Sequence, residues 1–454
     1  MELKKENQFE SLNQSIGKFH LRNKIVLIPE MNRISAHLLA AVFRGFNIHA
    51  KVLETYKGLD LGKEHTSGKE CYPCQVTMGD ILYFLKKEKE RLGELFDSKN
   101  YIYFLPESDG PCRFGMYNKY QRMVLDSFPY LRGVKIASLT TRDGYSLNGL
   151  IEPGKVPDFR KASYYAVVTA DILDRLLWRV RPYEKEGGIA DEFIDRSRCE
   201  LASLLEKYGP LKMFEKIMDK LEEVIEEGKN LINSAIPPKP LVGIVGEIFL
   251  RMHSDSNQNL IRMLEKHGAE VVNASLAEWI NFISYESLKN SKHRLHLYLK
   301  QFRFSAAKND LIAMIKFGTD LFYQEFRQRR IYNRVLKIID LIDDHRVAHL
   351  DKTLKKDDTF SFQLGTEACL SIATIIDSLQ TGYNGMVNVY PFTCMPSMTT
   401  SAVVRPLIKK ARMPYLDVSY DSSVQPGRET TVRTFMHQAC QHFERNGNKR
   451  LTSR

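Results

Sequence analysis

Short apolar runs, each followed by a stretch with helical spacing, recur along this chain in two blocks separated by a charged helical region. Residues 24–29 (KIVLIP), 50–54, 101–105 (YIYFL) and 134–139 read as strands, with helices predicted over 35–46, 75–95 and 116–127. A second block opens after the stiff IPPKP segment at 236–240. Its strands are expected within 241–250 (LVGIVGEIFL, with an exit loop) and at 270–273, 386–390 and 415–418. Its helices are expected at 257–267, 367–380, 401–411 and 430–443. Strands alternating with helices place the strands in a mostly parallel sheet with helices on its faces. The expected fold is therefore α/β, with two Rossmann-like lobes, mostly parallel sheets and helical insertions.

The chain has 454 residues, more than one core usually serves. The boundaries read as a polar leader at 1–22, a first lobe at 23–158 and a helical connector at 159–240. The second lobe spans 241–443, with a helical insertion at 277–352, and a basic tail occupies 444–454. The leader lacks the apolar centre of a signal peptide, and no stretch approaches the ~20 apolar residues of a membrane span. A cytoplasmic protein without a membrane partner is expected. Net charge is +11, which favours acidic partners in a general way. No run of five or more basic residues occurs, so nucleic acid is not an expected partner.

Seven cysteines are thinly spread, which does not suit a disulfide framework in a large chain of a reducing compartment. Four stand in loops. Cys71 and Cys74 occur in KECYPC, just before a predicted helix; Cys112 lies in SDGPCRFGMY and Cys394 in YPFTCMP, each between a strand and the following helix. Ligands of open α/β sheets bind beyond the carboxyl ends of strands, and helix N-termini favour a thiolate. Pro73, Pro111 and Pro396 narrow the loop conformations. Soft thiolates on pre-set loops suit an iron–sulfur cluster or zinc. The CxxC pair alone would also suit thiol redox chemistry. Cys199, Cys369 and Cys440 fall within helical patterns and read as packing residues.

GKECYPC, GPCRFGMYNKYQR, GEIFLRMHSDSNQNLIRMLEKHGAEV, LGTEACL and NVYPFTCMPSM together resemble the CoA-activase-type (acyl-CoA dehydratase activase-related) proteins. These belong with the 2-hydroxyacyl-CoA dehydratase, benzoyl-CoA reductase and double-cubane cluster superfamily. The resemblance runs from about residue 25 to 438. It implies two lobes clasping an iron–sulfur cluster, of [4Fe–4S] type, with ligands Cys71, Cys112 and Cys394 and with Cys74 as the fourth candidate. Three ligands would leave one iron open to substrate; four would make a closed electron-transfer centre. The resemblance also implies an ATP-dependent activator protein with its own cluster as partner, an acyl-CoA substrate, and a homo- or hetero-oligomer. The activity would be that of a dehydratase-like lyase or an ATP-coupled reductase component. The alternatives are a non-catalytic electron carrier or cluster scaffold, and a zinc-stabilised binding module.

Glu247 and Glu367 match acidic positions of the family and are candidate acid/base groups, against a helix-cap or inter-lobe role. Arg251 and Asn257 are candidates for substrate contact or for loop support. GKEHTSGKE fails the spacing of a phosphate loop, and Glu70 stands where Ser or Thr would bind magnesium. His345 and His349 read as an i, i+4 pair on a solvated helix face. Tyr298, Tyr323 and Tyr332 in the basic helical region read as an ordinary packing face.

Overall fold

The computed structural model describes residues 14–208, 210–356 and 358–447. Most of the leader (residues 1–13) and most of the basic tail (448–454) lie outside them. Nine strands are described. β1 (Ile16–Gly17), β2 (Ile25–Ile28), β3 (His49–Val52), β4 (Tyr101–Phe104) and β5 (Lys135–Ala137) form one sheet in the order β1-β5-β4-β2-β3. β6 (Leu241–Gly246), β7 (Glu270–Asn273), β8 (Gly385–Pro391) and β9 (Tyr415–Tyr420) form the other, in the order β7-β6-β8-β9. Every pairing is parallel. The expected α/β architecture with two parallel sheets is the observed one.

Apart from the edge strand β1, both sheets have the same strand order. In each, the chain first steps to one side (β2 to β3, β6 to β7) and then crosses back to the other (β4, β8). That reversal opens a crevice at the carboxyl ends of β2 and β4 in one sheet, and of β6 and β8 in the other. β4 and β6 are buried along their whole length, as their uninterrupted apolar sequence requires.

The segment read as a connector does more than connect. Helices Val156–Val180, Ile189–Lys207 and Pro210–Asn230 share one hydrophobic core with Val26, Ile28, Ile102 and Phe104 of the first sheet. The insertion forms a long helical pair, Leu276–Lys300 and Phe304–Val335. Its ends contribute Ala277, Ile331, Tyr332 and Val335 to that same core. Asn32 secures the junction: its Oδ1 accepts from Ser35 N at 2.8 Å, capping helix Arg33–Gly45, while its Nδ2 donates to Asp174 at 3.0 Å.

Two helices begin earlier than the sequence suggests. The CxxC segment is not wholly before its helix: Cys71 is the N-cap of helix Tyr72–Leu92, and Cys74 lies inside its first turn. Likewise helix Met395–Ala411 starts directly after Cys394. The prolines read as loop stiffeners, Pro73 and Pro396, sit in these first turns, where an amide proton would have no intrahelical partner anyway. Gly62 and Gly79 let helix Leu59–Glu64 cross the start of helix Tyr72–Leu92. A Cβ on Gly79 would lie 2.2 Å from the carbonyl oxygen of Gly58.

Candidate metal centre

Cys71, Cys112 and Cys394 occupy equivalent local positions. Each is the residue that caps a helix or 3-10 turn, and none uses its side chain for capping. Cys112 follows β4 and Cys394 follows β8, the third strand of each repeated order, so each sits at its sheet's crevice. Cys71 adopts φ +100°, and Thr393, just before Cys394, adopts φ +60°. Non-glycine residues are held there only by their surroundings, and such strain concentrates at functional loops.

Arg113 joins the three loops. Its Nη1 donates to Lys69 O at 2.8 Å, two residues before Cys71, and its Nη2 donates to Phe392 O at 3.0 Å, two residues before Cys394. One guanidinium fork next to Cys112 thus holds the other two loops, one of them in the opposite lobe. Tyr117 is buried, and its side chain exerts a lowering pull on the Cys71 thiol. Nothing singled out Arg113 or Tyr117 in the sequence, although an arginine directly after a loop cysteine is a signal that could have.

All seven cysteines are free, and Cys71, Cys74 and Cys394 are buried. Burial pushes the Cys71 thiol up to about 12, against the pull of the Arg113 guanidinium; Cys74, Cys112 and Cys394 are also raised, burial first. The Cys112 and Cys394 thiols both feel Glu367 and Glu247, and Cys112 feels Cys394. Cys74 differs in being the third residue of its helix rather than the cap; it is fully buried, in the core cluster to which Cys71 also belongs. Cys369 is buried within its helix, as a packing residue should be, whereas Cys199 is exposed and Cys440 half-buried.

Among the described residues, no three His, Cys, Asp or Glu side chains stand close enough together to hold a metal ion. The donor chemistry nevertheless fits a thiophilic group: three non-capping thiols on three loops that one arginine ties together.

Glu247 is an N-cap: its carboxylate accepts from Phe249 N at 3.1 Å and Leu250 N at 2.9 Å. Burial, reinforced by Glu367, raises it to about 7. Glu367 is buried and raised by burial, the cap of its helix is Thr366, and both glutamates line one cavity. Arg251 and Asn257 are loop supports. Arg251 donates to Gly246 O and Ser275 O at 3.2 and 3.3 Å; Asn257 donates to Leu250 O at 2.8 Å and accepts from Leu260 N at 3.1 Å.

The histidine pair is neither wholly helical nor a free solvated face. Residues 341–346 precede helix Val347–Lys356, and both rings reach Asp377: His345 Nε2 at 3.0 Å and His349 Nε2 at 2.7 Å. Tyr323 meets Tyr165 hydroxyl to hydroxyl, and Tyr332 is buried, as the packing reading expects. The GKEHTSGKE segment ends in a local turn, with Glu70 accepting from Ser67 N at 2.9 Å.

A polar chain crosses between the lobes beside this site. Asp80 accepts from Thr55 Oγ1 at 2.7 Å, Thr55 Oγ1 meets His253 Nε2 at 2.9 Å, and His253 Nδ1 meets Ser256 Oγ at 2.6 Å. No protein-family model matches this chain, and no curated protein matches it in sequence. Among the described residues no helix is long and apolar enough to cross a membrane.

Proposed function

We propose that this chain is an iron–sulfur protein whose cluster, of [4Fe–4S] type, is held by Cys71, Cys112 and Cys394. The observation that carries the proposal is the Arg113 fork, which ties the loop of Cys112 to those of Cys71 and Cys394. Cysteines distant in sequence, each on its own loop, suit such a cluster better than the compact paired knuckles of structural zinc. Cys74, inside the helix rather than at its cap, is left out of the set in this reading, which gives three ligands. When bound, a three-thiolate cluster supplies low-potential electrons and one iron without a protein ligand.

The chain's own residues then do the rest. The apolar walls keep water from the crevice, and Arg113 holds the loops in register. Glu367 presents a buried carboxyl whose proton affinity burial raises. With the motif resemblance, this supports a component of a 2-hydroxyacyl-CoA dehydratase-like or low-potential reductase system. Its partner would be an ATP-driven activator and its substrate an acyl-CoA. Protein purified without oxygen should contain iron and acid-labile sulfide, absorb broadly near ~400 nm and bleach in air. Colourless protein with stoichiometric zinc and no sulfide refutes the proposal. Activator-dependent turnover of an acyl-CoA separates a catalytic component from an electron carrier.

A further inference from the structure

Helix Phe304–Val335 of the helical pair has one face that the described residues leave uncovered. Its other face, with Ala307, Asp310, Phe317, Gln324, Gln328 and Ile331, is buried. The helix packs along Leu276–Lys300 and touches Pro210–Asn230. Ion pairs at 2.9 Å between Arg160 and Asp320 and at 2.8 Å between Arg294 and Asp310 hold it there. On the uncovered side, every position of the series 304, 308, 311, 315, 319, 322, 326 is exposed. Phe304, Leu311, Ile315, Phe322 and Phe326 of that series are large apolar side chains, 42–72 % exposed, and Ile312 lies beside them.

The steps between these positions run 4, 3, 4, 4, 3, 4. Eleven residues separate Phe304 from Ile315, and eleven more separate Ile315 from Phe326. That interval is close to three helical turns, so the stripe runs nearly straight for ~33 Å instead of winding round the helix. The series also reads the same from both ends, with Ile315 at its centre. A surface that meets a second copy of itself across a two-fold axis needs that property. At ~200 Å² for a large side chain, the stripe exposes roughly 700 Å² of apolar surface, above the ~300–600 Å² largest patch of a typical monomer and close to the ~800 Å² per partner of a stable interface.

We infer that this stripe docks a second copy of the chain, the two Phe304–Val335 helices lying antiparallel with Ile315 on the two-fold axis. In that register Phe304 of each copy lies opposite Phe326 of the other, and Leu311 opposite Thr319. Lys308 lies opposite Phe322, whose ring offers the cation a π face. Phe322 and Phe326 are already stacked, with centroids 6.1 Å apart. A parallel pairing would instead set Lys308 against Lys308. Lys308 stands within the stripe and not at its rim, which a lipid surface disfavours and a facing aromatic ring accommodates. The cysteine loops lie outside the stripe, so the interface does not require a bound cluster.

Analytical ultracentrifugation of the full chain should give twice the 52.5 kDa of one copy at micromolar concentration. Ile315→Glu sets two carboxylates together on the axis and should raise the dissociation constant at least about 100-fold at unchanged melting temperature. Oxidative cross-linking reads the register. Ile315→Cys should form a disulfide-linked dimer by itself. Phe304→Cys and Phe326→Cys should do so only when mixed, above the wild-type background that exposed Cys199 sets. A wild-type chain that stays monomeric at tens of micromolar, including one that sediments with phosphatidylglycerol vesicles instead, would overturn the inference. So would a dimer that persists in Ile315→Glu, cross-linking of Phe304→Cys alone, or none through Ile315→Cys.

Discussion

The guanidinium of Arg113 donates to the carbonyl oxygen of Phe392 at 3.0 Å, across the two lobes and 279 positions along the chain. The contact sits one residue after Cys112 and two before Cys394. It makes the spacing of those two loops a property of one side chain. Arg113→Lys keeps the charge but loses the planar fork that serves two carbonyls at once. The variant should keep its melting temperature within a few degrees yet retain less than about half the wild-type iron, since an exposed polar contact adds little to stability. Wild-type iron content in Arg113→Lys would show that the fork does not matter for loading.

The cysteine variants should divide by position. Cys71→Ser, Cys112→Ser and Cys394→Ser should each lose most of the iron, and Cys199→Ser and Cys440→Ser should keep it. Cys74→Ser is the informative variant: because Cys74 is fully buried and packed in the first lobe's core, it should lose stability but not iron. Iron analysis alongside thermal melts separates the two effects, and loss of the cluster in a well-folded Cys74→Ser would point to a four-cysteine centre.

Asp80 ties stability to pH. Burial raises it to about 7, whereas an unfolded aspartic acid releases its proton near ~4. Between those values the folded chain holds a proton that the unfolded chain has lost, so this contribution is complete below pH ~4 and fades as pH rises through about 7. Asp80→Asn should therefore flatten the decline of melting temperature between pH 5 and 8. The change should be at most about 3 kcal/mol over that range, since the linkage acts over roughly two pH units. Parallel slopes for variant and wild type would exclude Asp80 as the source.

Gly79→Ala probes the mount of the Cys71 loop. The added methyl would meet the Gly58 carbonyl oxygen at 2.2 Å, and backbone on both sides leaves no flexible side chain to yield. A loss of about 1–3 kcal/mol is expected from denaturant melts, with weaker retention of iron. Ala at this position with unchanged stability would mean that the helices separate at little cost.

Much of this was legible in the sequence because buried parallel strands announce themselves as unbroken apolar runs: YIYFL and LVGIVG gave β4 and β6 directly. β1 was missed, since Ile16–Gly17 is two residues long and set in a polar segment, and only its pairing with Ile136 and Ala137 makes it a strand. The starts of the helices after Cys71 and Cys394 were misplaced because a proline in a first helical turn looks, in one dimension, like a loop proline. The loop cysteines were visible as motifs, but the place of Cys74 inside a helix was not, because it depends on where that helix begins.

Because Cys112 and Cys394 leave corresponding strands of two separate sheets, the distance between their thiols is a caliper reading of how the sheets are inclined to each other. Cys71 and Cys112, borne by one sheet, keep their separation through any such rocking. A group gripped by all three would therefore span both sheets as well as occupy a pocket.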